Sequence, residues 1–246
     1  MSERGSSDPA SLAPLPEKHH RDIQGGAARA AVFGVSDGLV SNIAIVLGFA
    51  GANPGAGLIR LAGLTGLIGG AVSMAAGEYV SMKAQAELLE RELELERLEL
   101  HRRPEAERRE LAAIYRSRGV DDATADQLAT ALSRDPDMAL ETHAREELGI
   151  DPGSLGRPLS ASASSFVCFA VGAAIPLIPY FFGTGTAALV VAVVMGVVAA
   201  LTVGAALAKF TGRSTLRSSL RQLFFTAVPA VLTYALGAAV GVSGIG

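Results

Sequence analysis

Tryptophan is absent from this sequence of 246 residues, and only one cysteine is present. Aromatic residues make up 5% of the chain, whereas half of it is hydrophobic and 28 residues are glycine. The single cysteine, Cys168, excludes an intrachain disulfide and leaves the redox compartment open. Small residues let helix backbones approach each other closely in lipid. The composition therefore favours tightly packed membrane helices over a soluble core.

Charged side chains are missing from two long stretches. No Asp, Glu, Lys, Arg or His lies between Arg157 and Lys209, and none follows Arg221. With two apolar runs nearer the N-terminus, five segments reach the length of about 20 residues that a helix needs to cross a bilayer. These predicted spans cover residues 27–52, 58–80, 161–182, 184–208 and 223–242. We therefore predict an all-α membrane protein with five transmembrane helices.

A hydrophilic insert separates the second and third spans. Residues 64–100 contain no proline, and their apolar first half gives way to a glutamate-rich second half. This pattern predicts one helix about 55 Å long that leaves the membrane and continues into water. Pro104, Asp121 or Asp122, and Asp137 predict the starts of three further helices. The predicted parts are 1–26 (a disordered tail), 27–80 (spans one and two), 81–157 (the helical insert) and 158–246 (spans three to five).

The distribution of basic residues predicts the orientation. Cytosolic loops of membrane proteins carry an excess of Lys and Arg. Lys18 and Arg21 precede the first span, whereas the short connection around Thr184 carries no charge. Four more basic residues lie between the fourth and fifth spans: Lys209, Arg213, Arg217 and Arg221. The N-terminus and the insert are therefore predicted to be cytosolic, and the C-terminus is predicted to lie on the opposite side of the membrane.

Acidic residues inside the predicted spans are few. Asp37 lies deep in span one, and Glu78 lies near the cytosolic end of span two. A carboxylate at the centre of a bilayer costs at least ~2.5 kcal/mol, so it normally faces protein or a water-filled cavity. One interpretation is a structural carboxylate that is hydrogen-bonded to Ser36 or Ser41. The other is a cation or proton site, which we favour for Asp37.

Span two places sulfur ligands beside a carboxylate. Met74, Glu78 and Met82 are four residues apart and share one helix face. Two thioethers and a carboxylate suit a borderline transition metal better than Na⁺ or Ca²⁺. A methionine pair at this spacing is more often simple packing, so both interpretations stay open. Two small-xxx-small pairs predict close contact between spans one and two: Gly34-x-x-x-Gly38 and Gly66-x-x-x-Gly70.

Acidic pairs also recur in the insert. The pairs at helical spacing are Glu96 with Glu99, Glu107 with Glu110, and His143 with Glu147. If their helices converged, they would build a carboxylate-rich metal site, as in helical di-iron proteins. The alternative is a solvated charged helix with internal salt bridges, and spacing alone favours it. The candidate salt bridges are Glu87–Arg91, Glu99–Arg103 and Glu105–Arg109.

Two motifs carry a family resemblance. SDGLVSNIAIVLGFAGA (residues 36–52) and GGAVSMAAGEYVSMKAQAE (residues 69–87) resemble the signature helices of the vacuolar iron transporter family, including its nodulin-like relatives. The similarity extends over nearly the whole chain after Gly25. It implies a homodimer and ion-path roles for Asp37 and Met74. It also implies metal ligands in the insert, which fall at Glu96, Glu99, Glu107, Glu110 and Glu147.

The sequence departs from that family at two places. Some members carry an acidic residue where this chain has Gly66, and Glu78 is a candidate substitute. Where methionines can assist the insert's glutamates, this chain offers His143 as a candidate nitrogen ligand.

The resemblance implies export of Fe²⁺ or Mn²⁺ from the cytosol by exchange for protons, with Zn²⁺ and Co²⁺ as further candidate ions. No organic cofactor is expected, and the expected partners are a second copy of the chain, membrane lipid, divalent metal ions and protons. The chain has no P-loop, and its basic residues are not interleaved with aromatic ones, so neither an enzyme nor nucleic-acid binding is expected. A membrane-anchored iron-binding, storage or sensing protein remains the alternative. A ferritin-like oxidase is disfavoured because the insert has no Glu-x-x-His pair.

Overall fold

The computed structural model describes residues 26–149, 151 and 157–241, and these residues form helices without any strand. In chain order the helices are α1 (Gly26–Ala52), α2 (Ala56–Arg102), α3 (Pro104–Ser117), α4 (Asp122–Leu132), α5 (Pro136–Glu146), α6 (Pro158–Leu177), α7 (Pro179–Phe182), α8 (Gly185–Thr211) and α9 (Thr215–Val240). Five of them are long and apolar enough to cross a membrane: α1, α2, α6, α8 and α9. The all-α, five-span prediction is therefore confirmed. The predicted N-terminal tail lies outside the described residues, apart from Gly26.

Helix α1 is the centre of the membrane part, since it packs against α2, α6, α8 and α9. Its glycines allow this. A Cβ atom on Gly34 would lie 2.8 Å from the Ser165 carbonyl oxygen, and one on Gly38 would overlap the Phe169 carbonyl oxygen, both on α6. At the other end of α1, a side chain on Gly237 of α9 would overlap the backbone of Gly48. The backbones therefore approach as closely as small residues permit.

The prediction that both small-xxx-small pairs join spans one and two is wrong for Gly34 and Gly38. They face α6, and of the second pair only Gly66 faces α1. Gly70 instead leaves room for the Phe169 ring of α6. The physical reason is that α6 packs against both α1 and α2. The spacing of the glycines predicts a close helix contact but does not say which helix is the partner.

Helix α2 is continuous, as its composition predicts, and its 47 residues span about 70 Å. Beyond the membrane part it packs against α5 and α3 of the insert. The insert has a small core of its own around Leu111, Ala112 and Ala129. The predicted cap is found at Asp121, whose side chain accepts from the Thr124 amide. The insert is therefore a compact group of helices carried on the extension of α2.

The predicted bounds of two spans differ from the structure. The third span is not one helix from 161 to 182: α6 ends at Leu177, and Pro179 begins the short helix α7 because proline fits a first helical turn. The last span begins earlier than residue 223, so that Arg217 and Arg221 lie in the first turns of α9 rather than in a loop.

The proposed salt bridges Glu87–Arg91, Glu99–Arg103 and Glu105–Arg109 are not formed between the described side chains. Glu87 pairs with Lys83 at 3.4 Å, and Glu105 pairs with Arg108 at 3.2 Å. Glu87 therefore makes its i,i+4 ion pair with a different partner, and Glu105 pairs at i,i+3 spacing instead.

Candidate metal centre

Four potential ligands from three helical segments meet inside the insert. Glu96 comes from α2, Glu107 from the first turn of α3, His143 from α5, and Glu147 from the end of α5. One donor atom of each lies within 4.8 Å of all the others. The chain turns sharply at Arg103, and Pro104 starts α3 immediately afterwards, which returns Glu107 to the side of Glu96. Short connections thus bring together residues up to 51 positions apart.

The histidine lies at the middle of the group. His143 Nδ1 is 3.0 Å from Glu96 Oε1 and 3.3 Å from Glu147 Oε2. His143 is fully buried, whereas 4% of Glu96 and 6% of Glu107 are exposed. Neighbouring ligand atoms around an ion bound at 2.0–2.2 Å are separated by about 2.8–3.1 Å in an octahedron and about 3.3–3.6 Å in a tetrahedron. The two distances from His143 Nδ1 therefore fall in the range expected around a first-row divalent ion.

The surroundings shift the proton affinity of three of the four groups. Burial raises the pKa of Glu107, and the charges of Glu96 and Glu110 raise it further. Burial likewise raises the pKa of Glu147, and this outweighs the opposing effect of its hydrogen bond to His143. Burial works against protonation of His143, but its contacts with Glu96 and Glu147 outweigh burial and raise its pKa. The group therefore attracts positive charge, either protons or a metal cation.

The other two predicted ligands of the insert do not enter this group. Glu99 and Glu110 are exposed, although Glu110 lies close enough to raise the pKa of Glu107 and Glu147. Residues three positions apart point about 60° away from each other on a helix. Only one member of each glutamate pair, Glu96 and Glu107, is therefore turned into the interior of the insert.

In the membrane part, Asp37 lies on the outer surface of the subunit and is exposed. The structural interpretation required hydrogen bonds to Ser36 or Ser41. Ser41 Oγ instead donates to the backbone carbonyl of Asp37 at 2.6 Å, and Ser36 Oγ accepts from Gln222 Nε2 at 2.8 Å. Among the described residues, neither hydroxyl is hydrogen-bonded to the Asp37 carboxylate. Hydrogen bonds to Ser36 or Ser41 therefore do not account for this acid.

The second intramembrane acid has a partner that the sequence analysis missed. Glu78 Oε1 lies 3.2 Å from Arg29 Nη2, which joins α2 to α1. The available signal was that Arg29 lies near the start of the first span. Met74 is half-buried against the Phe169 cluster, whereas Met82 is buried beside Ala30 and Ala161. Packing therefore accounts for Met82.

A second polar residue that the analysis missed is Asn42, which is fully buried in α1. Its Nδ2 donates to the Ala173 carbonyl of α6 at 2.6 Å, whereas Oδ1 has no hydrogen-bond partner among the residues that the structure describes. A Cβ on Gly66 would lie 2.7 Å from that oxygen. Asn42 thus occupies the space facing Gly66, which explains why a glycine fits there. An asparagine within an apolar helix was the signal for this contact.

Residues 34–38, Gly-Val-Ser-Asp-Gly, have the spacing of a hydrolase nucleophile motif. That motif requires a sharp turn between a strand and a helix, which exposes the serine. Here the five residues lie in the middle of α1, and Ser36 is engaged by Gln222. The motif therefore carries no sign of a catalytic serine.

A family model described as the VIT family matches residues 28–238. The chain belongs to the VIT family. Among its relatives, a vacuolar iron transporter of Acanthamoeba castellanii is 36% identical over 228 residues, which cover 90% of this chain and 82% of that protein. Vacuolar iron transporter 1 of Arabidopsis thaliana is 31% identical over 221 residues, which cover 89% of this chain and 88% of that protein. The VIT match spans the apolar helices and the insert, and it confirms the family resemblance.

Proposed function

We propose that the protein transports divalent transition-metal ions, Fe²⁺ and also Mn²⁺, out of the cytosol across a membrane. The observation that carries this proposal is the group of Glu96, Glu107, His143 and Glu147. Its first member, Glu96, lies on the helix that continues directly into the membrane part. The names of the VIT-family relatives, vacuolar iron transporters, agree with it.

The insert captures the ion in this proposal. Its four donors are three carboxylate oxygens and an imidazole nitrogen, a set suited to borderline first-row metals. Helix α2 runs without a break from Met74 to Glu96, which lies 22 residues later and about 33 Å further along the helix axis. The ion passes from the insert to the membrane path at Met74 and Asp37, with Glu78 taking the role of the acid that is absent at Gly66.

A homodimer completes the membrane path. Exposure of Asp37 on an isolated subunit would place a carboxylate against lipid, which is costly. Helix α2 presents small or hydroxyl-bearing residues on its exposed surface at every fourth position: Thr65, Gly69, Ser73 and Gly77. Within the described part of the subunit, no atom of another element lies within 4 Å of a Cβ built on Gly69 or Gly77. Such a surface favours close packing against a second copy, which would cover Asp37 and double the number of ligands.

Protons are the counter-ions in this proposal. Metal can bind carboxylates and imidazole only after protons leave, so a proton arriving from the opposite side favours metal release. We place the insert in the cytosol in this proposal. With five spans it lies on the same side as the basic connection of Lys209, Arg213, Arg217 and Arg221, whereas the connection at Thr184 is uncharged.

Flux into liposomes tests the transport proposal. Purified protein is reconstituted around a metal-sensitive dye, Fe²⁺ or Mn²⁺ is added outside, and an inside-acidic pH gradient is imposed. We expect metal entry above that of protein-free liposomes, together with alkalinisation of the interior. Metal binding without any flux would refute transport.

The alternative, a membrane-anchored iron-binding or sensing protein, has one observation in its favour. All four members of this group lie in the insert, so binding needs no membrane residue. This alternative predicts the second outcome of the flux assay, binding without entry.

A further inference from the structure

We propose that His143 determines which divalent ions the insert accepts, favouring Fe²⁺, Co²⁺ and Zn²⁺ over Mn²⁺ and Mg²⁺. This inference rests on the proposed role of the insert as the part that captures metal. It goes further by assigning selectivity to one side chain.

His143 supplies the one nitrogen donor of the group, and its position is fixed. The side chain is fully buried, and Nδ1 lies within 3.3 Å of carboxylate oxygens from Glu96 and Glu147. These two residues come from different helical segments, so the imidazole lies between the carboxylates rather than at the edge of the group. A cation held by Glu96 and Glu147 would therefore have His143 Nδ1 within reach as a further ligand once this nitrogen has lost its proton.

The chemistry of the donors turns this position into selectivity. Carboxylate oxygens alone suit Mg²⁺, Ca²⁺ and Mn²⁺, whereas imidazole suits Fe, Ni, Cu and Zn. Affinity also rises from Mn²⁺ through Fe²⁺ to Co²⁺ for a given site. Replacing one oxygen of a carboxylate site by a nitrogen thus strengthens binding of the later metals more than binding of Mn²⁺.

The imidazole lies within reach of any ion that the carboxylates hold. The four donor atoms lie within 4.8 Å of one another, whereas Glu99 and Glu110 are exposed outside the group. An ion bound in the group therefore has the imidazole beside it as a fourth donor.

A competition experiment on the full chain in detergent tests this. Co²⁺ is titrated into protein that has been freed of metal, its visible absorption bands are recorded, and Mn²⁺ is then added as competitor. The test variant is His143→Gln, which offers an amide in place of the imidazole. His101→Gln is the matched control, since His101 is exposed at the end of α2.

We expect the preference for Co²⁺ over Mn²⁺ to fall about tenfold in His143→Gln, the size of effect that a lost metal-site contact typically has. The Co²⁺ bands should shift in the same variant, and His101→Gln should match the wild type in both respects. An unchanged preference and unchanged bands in a His143→Gln protein with wild-type helicity would overturn the proposal. If His143→Gln loses helicity, His143→Asn is measured in its place, and the same two outcomes decide.

Failure of this inference and failure of the transport proposal are distinguishable. Metal flux in liposomes with unchanged preference in His143→Gln would refute the selectivity role alone. A shifted preference without flux in the wild type would refute transport and leave the selectivity role intact.

Discussion

Replacing Glu96 by glutamine should weaken metal binding strongly while leaving the metal-free insert folded. The carboxylates of Glu96, Glu107 and Glu147 lie within 4.8 Å of one another. At an effective dielectric constant near 20, each such pair repels by about 3 kcal/mol. Protonated His143, 3.0 Å from Glu96, attracts it by about 5 kcal/mol on the same scale.

Glu96→Gln removes two of these repulsions and the one attraction, which nearly cancel. The stability of the metal-free insert should therefore change by less than about 2 kcal/mol. A bound divalent ion loses a charged ligand without any compensation. Loss of outer contacts alone costs metal sites about 10–100-fold in affinity, so we expect Glu96→Gln to weaken binding by at least about 100-fold.

Isothermal titration of Co²⁺ or Zn²⁺ into metal-free protein measures the affinity, and thermal denaturation in chelator measures the stability. Glu99→Gln is the matched control, because Glu99 lies one turn further along α2 and is exposed. Equal affinities of Glu96→Gln and Glu99→Gln would refute the assignment of the site. A large loss of stability with unchanged affinity would show that Glu96 is a structural partner of His143 only.

Three further changes test separate parts of the structure. The stability of the metal-free protein should fall as the pH rises above about 6.5. The raised pKa of His143 means that the folded insert binds a proton which the unfolded chain releases in this range. Thermal denaturation in the presence of chelator measures this, and a stability that rises with pH would contradict it. Arg29→Gln should lower the stability by on the order of 1 kcal/mol, since Arg29 is partly exposed but pairs with a mostly buried Glu78. Thermal denaturation measures this, and an unchanged melting temperature would show that the ion pair contributes nothing to stability. Gly38→Ala should lower the stability by about 1–3 kcal/mol because its Cβ would overlap the backbone of α6. Gly57→Ala is the control and should leave the stability unchanged, since no described atom of another element lies near its Cβ. Equal effects of the two substitutions would count against the close packing of α1.

Sequence patterns predicted those features that depend on residues close together in the chain. The change of α2 from apolar to acidic composition predicted a continuous helix that leaves the membrane. The cap at Asp121 and the helix start at Pro104 followed from local preferences. The i,i+4 spacing of His143 and Glu147 predicted neighbours, and these side chains lie 3.3 Å apart.

Features that depend on which helices become neighbours could not be predicted. The spacing of Gly34 and Gly38 shows a surface made for close packing, but it does not say that α6 is the partner. The same limit applies to the pair of Arg29 and Glu78, which are 49 residues apart. Nor could spacing show that Glu96 rather than Glu99 is turned inward, because that depends on how α3 and α5 dock against α2.

The most direct test of the central claim is metal flux through Asp37→Asn protein in liposomes with an inside-acidic pH gradient. Asparagine keeps the size of the side chain and removes the charge that a divalent ion needs in the membrane. Asp137→Asn, an exposed position in the insert, is the matched control and should transport like the wild type. We expect Asp37→Asn to bind metal in the insert with wild-type affinity and to lose both Fe²⁺ entry and the accompanying proton movement. Entry at the wild-type rate would contradict the proposal that the ion passes Asp37 on its way across the membrane.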